Sequence, residues 1–244
     1  MDLSDGEKAL LSHIREAREN RETTAPKAEE LGVGVEGAYK VQVATGEGRE
    51  VLGYKLGLVG PAKQAQMGVD SPIYGRVYEG MILGSPVSLG SMVQPRLEPE
   101  LAVVLGEDLP PGTSPGAASY MAVYGIFLAI DFLNSIWRDY NFNVADVIAD
   151  NASGGGFLLG ERLLIEPLEG NLRLYHNGQL LTEGPVGDTG NIGERLVWLS
   201  ETVGGLEAGQ VIFLGSPAVA QVATPGMIEL YGPKGSALLA GLQD

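Results

Sequence analysis

After Val51 this chain contains no long apolar run. Glycine and proline recur instead, 36 and 14 of them in 244 residues. Tight-turn residues at that density, between short β-branched and apolar stretches, predict short strands joined by turns. Strands are expected at 51–58, 73–78, 98–105, 123–131, 157–159, 172–175, 211–215 and 227–231. Asn177-Gly178 between two such runs is a hairpin signal, because a type I′ turn needs positive φ at both central residues. The first fifty residues differ. Ser4 or Asp5 caps a helix through Ile14, Arg15 to Thr24 reads as a helix end and loop, and Pro26 suits the first turn of a helix over Ala28-Glu29-Glu30-Leu31. A third helix is expected from Val35 to about Ala44, and a late amphipathic one over 193–203. The pattern divides the chain into a helical segment, 1–50, and a β-rich domain, 51–244. It describes a mixed barrel or sandwich with helices outside it.

Composition removes several chemistries. There is no cysteine and there are two histidines, His13 and His176, so thiolate, iron–sulfur and tri-histidine zinc centres are excluded. Thirty-one acidic against sixteen basic side chains, a net charge of -15, argue against a nucleic-acid partner. No stretch has the apolar length of a membrane span. The N-terminus lacks the basic and apolar regions of a signal peptide, which predicts a soluble, cytoplasmic protein. Oxygen ligands are plentiful, and these favour hard cations such as magnesium or manganese.

Three segments carry possible chemistry. In Gln94-Pro95-Arg96-Leu97-Glu98-Pro99-Glu100, a strand places Glu98 and Glu100 on one face. An edge kept soluble by charge fits the same residues. Asp131 ends the apolar run from Val123, where a buried charge needs a partner, and three carboxylates make an oxygen site for a divalent ion. Lys55 interrupts an apolar strand, either snorkelling to solvent or facing a polar cavity. The stretch from Asp146 through Asp150, Asn151 and Ser153 to Gly156 reads as a short helix ending in a loop, a ligand-approaching loop or a plain flexible turn.

Glu98-Pro99-Glu100 with Asp131, Gly53-Tyr54-Lys55-Leu56-Gly57-Leu58, Gln66-Met67-Gly68-Val69-Asp70-Ser71-Pro72 and Val147-Ile148-Ala149-Asp150-Asn151-Ala152-Ser153 occur together in an order that resembles the hydratase/decarboxylase branch of the fumarylacetoacetate hydrolase superfamily. The resemblance covers about Gly37 to Ser236. It implies an α+β fold with a mixed β-roll core and a small helical N-terminal segment. It further implies Mg2+ or Mn2+ on Glu98, Glu100 and Asp131, with Lys55 and Asp70 catalytic and Gln94, Asp150, Asn151 and Ser153 binding substrate. The implied activity is a lyase of 2-oxo-enoates from aromatic meta-cleavage breakdown. Decarboxylation of 4-oxalocrotonate is placed ahead of hydration of 2-hydroxypenta-2,4-dienoate because of the aromatic-rich run 138–148 and the stretch Lys63 to Asp70. Homo-oligomers and complexes with a hydratase or decarboxylase homologue are in keeping with the branch. Where the branch carries glutamate, Asp-Ser-Arg, Gly-His-Pro and a polar pair, this chain has Asp131, Asn134-Ser135-Ile136, Gly190-Asn191-Ile192 and Val59-Gly60. Those departures leave a non-catalytic partner subunit as a further reading.

Overall fold

Residues 2–161, 163–164 and 168–244 are described by a computed structural model. In chain order, α1 (Asp5–Asn20) and α2 (Val35–Thr45) precede β1 (Val51–Gly57), α3 (Pro61–Met67), β2 (Ile73–Tyr78), β3 (Val87–Ser88) and β4 (Arg96–Leu105). Then come α4 (Ala117–Met121), β5 (Val123–Leu133), α5 (Val144–Ala149), β6 (Gly154–Leu159), β7 (Asn171–His176) and β8 (Gln179–Pro185). The chain closes with α6 (Ile192–Val203), β9 (Val211–Phe213), β10 (Gln221–Val222), β11 (Gly226–Tyr231) and β12 (Ala237–Gln243).

Alternation along β4 sets the layers. Leu97, Leu101, Val103 and Leu105 are buried on one face, and Arg96, Glu98, Glu100 and Ala102 project from the other. β4 lies inside a mixed sheet ordered β2-β1-β9-β4-β5-β6, with β10 also pairing to β4. A second sheet, β3-β12-β11-β7-β8, packs on its apolar face. One cluster joins them, with Leu101, Leu128, Ile130 and Phe132 from the first sheet and Leu174, Ile228, Leu230 and Leu238 from the second. The acidic side of the first sheet is covered separately. Ala102, Ala129, Phe157 and Phe213 form a small apolar cluster there, and it ends where the carboxylates begin. Among the described residues no helix is long and apolar enough to cross a membrane.

The α+β architecture matches the sequence reading, and Asn177 and Gly178 sit at φ 49 and 77 in the β7–β8 turn. Several local expectations change. Helix α1 continues through Arg15 to Asn20, because Ile14 and Ala17 still face the core while the polar residues between them face outward. No helix forms at Ala28 to Leu31. The backbone N–H groups of Lys27 and Ala28 donate to Asp146 Oδ1 at 2.9 and 2.8 Å, and the segment closes as turns at Gly32, φ 67. Gly154 to Gly156, read as loop, begin β6, with Gly154 opposite Leu133 and Gly156 opposite Phe132. Strand β12 was not anticipated, although Leu238, Ala240 and Leu242 alternate as buried residues. The helical segment packs on α5, where Leu10, Ile14, Val41, Ile136, Trp137 and Ile148 form one cluster.

Candidate active site

The register of the β4–β5 hairpin places Glu98 directly opposite Asp131, and Glu100 follows two residues on along the same face. One oxygen from each of the three carboxylates lies within 4.8 Å of the other two. Glu100 and Asp131 are fully buried. Lys55 reaches them from β1: it pairs with Phe213 of β9, which in turn pairs with Ala102 of β4, so all these side chains leave one face. Its ammonium sits 2.8 Å from Asp131 Oδ2 and donates to the Ala152 carbonyl at 2.9 Å. The snorkelling alternative is thereby set aside, since Lys55 is 3% exposed.

Burial and charge crowding together govern this cluster. Burial, and then repulsion from Asp131, raises Glu100 well above the usual carboxylate range, against relief from Lys55 and the Gly215 N–H. Burial pushes Asp131 up to about 6 even though Lys55 opposes the shift. For Lys55, burial works against the charged form, but Asp131, Glu98 and Glu100 outweigh it and the ammonium is held above its ordinary value. Glu100 accepts from Gly215 N at 3.1 Å through Oε2. Glu100 Oε1 and Asp131 Oδ1 have no hydrogen-bond partner. Buried carboxylate oxygens left bare in this way are costly, and an oxygen-only donor set fits magnesium or manganese.

The cluster opens on a cavity of about 480 Å3 whose polar lining includes Lys55, Lys63, Arg96, Glu98 and Ser153. Leu133, Phe142, Val147 and Val219 form its apolar wall. Ser153 is buried and its hydroxyl has no partner. The turn that carries it is unusual, because Asn151, Ala152 and Ser153 stand at φ 52, 50 and 57. Three successive left-handed residues without glycine cost roughly 1–2 kcal/mol each, so the surroundings must impose them. Asn151 does this with both ends of its amide, accepting from Arg76 N at 2.7 Å and donating to Arg76 O at 2.8 Å. A Cβ at Gly75 would collide with the Asn151 carbonyl, which explains the glycine in β2.

Matches to known proteins agree with this geometry. Residues 62–239 match the model for the fumarylacetoacetate (FAA) hydrolase C-terminal domain. The chain belongs to the fumarylacetoacetate hydrolase family. Similar family members include a 2-keto-4-pentenoate hydratase from Paraburkholderia phymatum, 32% identical over 228 residues, 85% of this chain and 86% of that one. A 4-oxalocrotonate decarboxylase from a Pseudomonas species is 40% identical over 115 residues, 46% of this chain and 44% of that one. The fold matches the 4-oxalocrotonate decarboxylase from Pseudomonas putida G7 complexed with magnesium and adipate, with a TM-score of 0.87 and 24% identity across 96% of each chain. The same protein complexed with calcium and acetate gives 0.88. These relatives place the chain, an enzyme, in the hydratase/decarboxylase branch of the family.

Not every residue expected at this family's site reaches the cavity. Asp70 is exposed, on the segment after α3. Gln94 spends its amide on the following loop, donating to Ser135 O and Trp137 O and accepting from Asp139 N. Asp150 turns away from Lys55 to Arg18, 2.6 Å away, and accepts from Ile136 N at 3.1 Å. Asn151 is committed to Arg76. Lys63 and Arg96 line the cavity without being among the residues the sequence points to, although Arg96 shares a strand face with Glu98 and Glu100. Neither histidine is near: His13 meets Thr24 Oγ1 at 2.9 Å, and His176 pairs with Gln179 at the hairpin. The departures from the family pattern have structural uses here. Asn134 accepts from Val93 N, Ile136 is wholly buried beside Trp137, and Asn191 caps α6.

The Arg18–Asp150 pair yields a stability prediction. Burial raises the Asp150 carboxyl against the pull of Arg18. Arg18→Met leaves that buried charge unopposed and is expected to cost about 3 kcal/mol near neutral pH. Without the guanidinium the folded-state value rises further, so the lost stability is recovered as pH falls below it. Urea unfolding between about pH 8 and about pH 5 should show the deficit narrowing. A constant deficit would assign it to lost packing.

Proposed function

We propose that this enzyme is a divalent-metal-dependent lyase that converts 4-oxalocrotonate (2-oxohex-3-enedioate) to 2-hydroxypenta-2,4-dienoate and CO2. Glu98, Glu100 and Asp131 hold Mg2+ or Mn2+, which supplies a Lewis-acid electron sink for the 2-oxo group. The observation that carries decarboxylation over hydration is the pair of cations at the cavity, Lys63 and Arg96, in addition to buried Lys55. Arg96 lies 4.0 Å over the Tyr140 ring, and Lys63 Nζ is 3.8 Å from Glu98 Oε1. A substrate with a carboxylate at each end suits such a cavity, whereas 2-hydroxypenta-2,4-dienoate has only one.

In the reaction the C5–C6 bond breaks, C6 leaves as CO2, and its electron pair passes through the conjugated carbons to the 2-oxo oxygen, which takes up one proton from solvent to give the 2-hydroxy product. Lys55 stabilises the negative charge that develops there. Ser153 offers its unused hydroxyl to orient the substrate. Arg96 and Lys63 draw in the dianion, and the apolar wall favours neutral CO2 over the carboxylate. No histidine base is needed. Hydration of 2-hydroxypenta-2,4-dienoate is the second reading, supported by the relative that matches over the greater length of the chain. It requires a proton at C5 and a water placed at C4.

Incubation of the Mg2+-loaded enzyme with each substrate separates these readings. CO2 release from 2-oxohex-3-enedioate is expected, and Arg96→Gln should raise KM about tenfold with a smaller change in kcat. Formation of 4-hydroxy-2-oxopentanoate with no CO2 would replace decarboxylation by hydration. Metal binding with neither turnover would favour the partner-subunit reading.

A further inference from the structure

A second cavity, about 450 Å3, lies beside the left-handed turn and is lined by Arg15, Arg18, Arg49, Tyr78, Asp150 and Asn151 among others. It shares no lining residue with the catalytic cavity. The turn separates them: Asp150 and Asn151 face this cavity, and Ala152 and Ser153 face the other. We propose that the second cavity is a binding site for a small oxyanion, a carboxylate or a phosphate, distinct from the substrate.

Charge is the first argument. In a chain of net charge -15, three guanidinium groups converge on one cavity whose lining includes a single acid, Asp150. Arg18 neutralises that acid at 2.6 Å. Among the described residues, Arg15 and Arg49 form no ion pair, so two positive charges remain uncompensated. Both heads are nonetheless fixed. Arg15 Nη2 donates to Ala44 O at 2.8 Å and Arg49 Nη2 to Glu79 O at 3.1 Å. A guanidinium has five N–H donors in a planar fork, so each anchored head keeps donors for a ligand. Held forks of this kind match the planar oxygens of carboxylate and phosphate.

Tyr78 braces one of these forks. Its ring lines the cavity, while its hydroxyl is turned against Gly46, which does not. Arg49 lies 4.5 Å over that ring, so its head is held by a carbonyl on one side and an aromatic face on another. Gly154 and Gly155 also line the cavity and add no side chains to it. Arginines serving only solubility would require neither the anchoring carbonyls nor the stacked ring.

Calorimetric titration of the Mg2+-loaded enzyme with inorganic phosphate, and separately with succinate, tests the site. Saturable binding of one or both is expected, and the tighter probe identifies which oxyanion the cavity prefers. Arg15→Gln and Arg49→Gln, both at exposed positions, should each weaken binding about tenfold. Tyr78→Phe should weaken it less, with thermal melting confirming that each variant folds. Arg96→Gln in the catalytic cavity should leave it unchanged. The proposal is overturned if neither probe saturates, or if Arg96→Gln abolishes binding that Arg49→Gln leaves intact.

Discussion

Replacing Glu100 by glutamine is expected to abolish turnover while making the metal-free protein more stable. The two effects share one cause. Glu100 is fully buried, and burial together with Asp131 raises it well above the usual carboxylate range. A group whose folded-state pKa is raised contributes stability below its unfolded value and loses it as pH rises through the folded one. At neutral pH an ionised Glu100 is therefore a liability in the free protein, and glutamine removes it while keeping the shape and an acceptor for the Gly215 N–H. The same substitution removes one carboxylate from the proposed divalent site, and turnover should fall by at least about a thousandfold, the equivalent of several kcal/mol of Lewis-acid stabilisation. Thermal melting without metal, Mg2+ titration and a rate assay check the three parts. A variant that binds Mg2+ normally would remove Glu100 from the ligand set. One less stable than the parent would show that its ionised form is well compensated in the fold.

Lys55→Met should act in the opposite direction on stability. Lys55 is 2.8 Å from Asp131 Oδ2 in a wholly buried setting, so its loss strands a carboxylate already pushed up to about 6. Breaking a buried pair by removing one partner costs about 3–5 kcal/mol. The Ala152 carbonyl loses its donor as well. Turnover should drop about a hundred- to a thousandfold, the scale seen when a donor to a developing oxyanion is removed. Saturating Mg2+ should restore part of the stability, since the ion replaces the missing charge, but not the rate. Full recovery of the rate at high Mg2+ would show that Lys55 only conditions the carboxylates. The double variant Lys55→Met/Glu100→Gln separates the contributions: their coupling should make it more stable than Lys55→Met alone.

Site features readable from sequence are those that break a local pattern. Glu98 and Glu100 stand out because two acids share the period of an otherwise apolar strand, and Lys55 because it is the lone charge in its run. Asp131 could be singled out as a charge ending an apolar stretch, but its position opposite Glu98 depends on the β4–β5 register, which local composition does not determine. Asp150 and Asn151 show the limit. Their side chains are fixed by Arg18, 132 residues away in the chain, and by Arg76, 75 residues away; no local signal announces either partner. Lys63 and Arg96 are inconspicuous for the converse reason, since a basic residue near the end of a strand or in a polar helix looks like ordinary solvation. In the fold, most strands of six or more residues are legible from their apolar patterns, with β12 the exception. The two-residue strands β3 and β10 exist only because a neighbouring strand recruits them, and the turns at Ala28 to Leu31 follow from a distant carboxylate, Asp146.

The opposition of Glu98 and Asp131 across the hairpin would also make binding of the proposed ion a proofreader of strand pairing. A slip of one residue would send Asp131 to the apolar side and set Ile130 or Phe132 against Glu98, while turning Leu128 and Ile130 away from the second sheet. Such a chain would lose its core and its carboxylate cluster in the same step. Divalent ions would then bind only correctly aligned hairpins and draw a refolding population towards them by mass action.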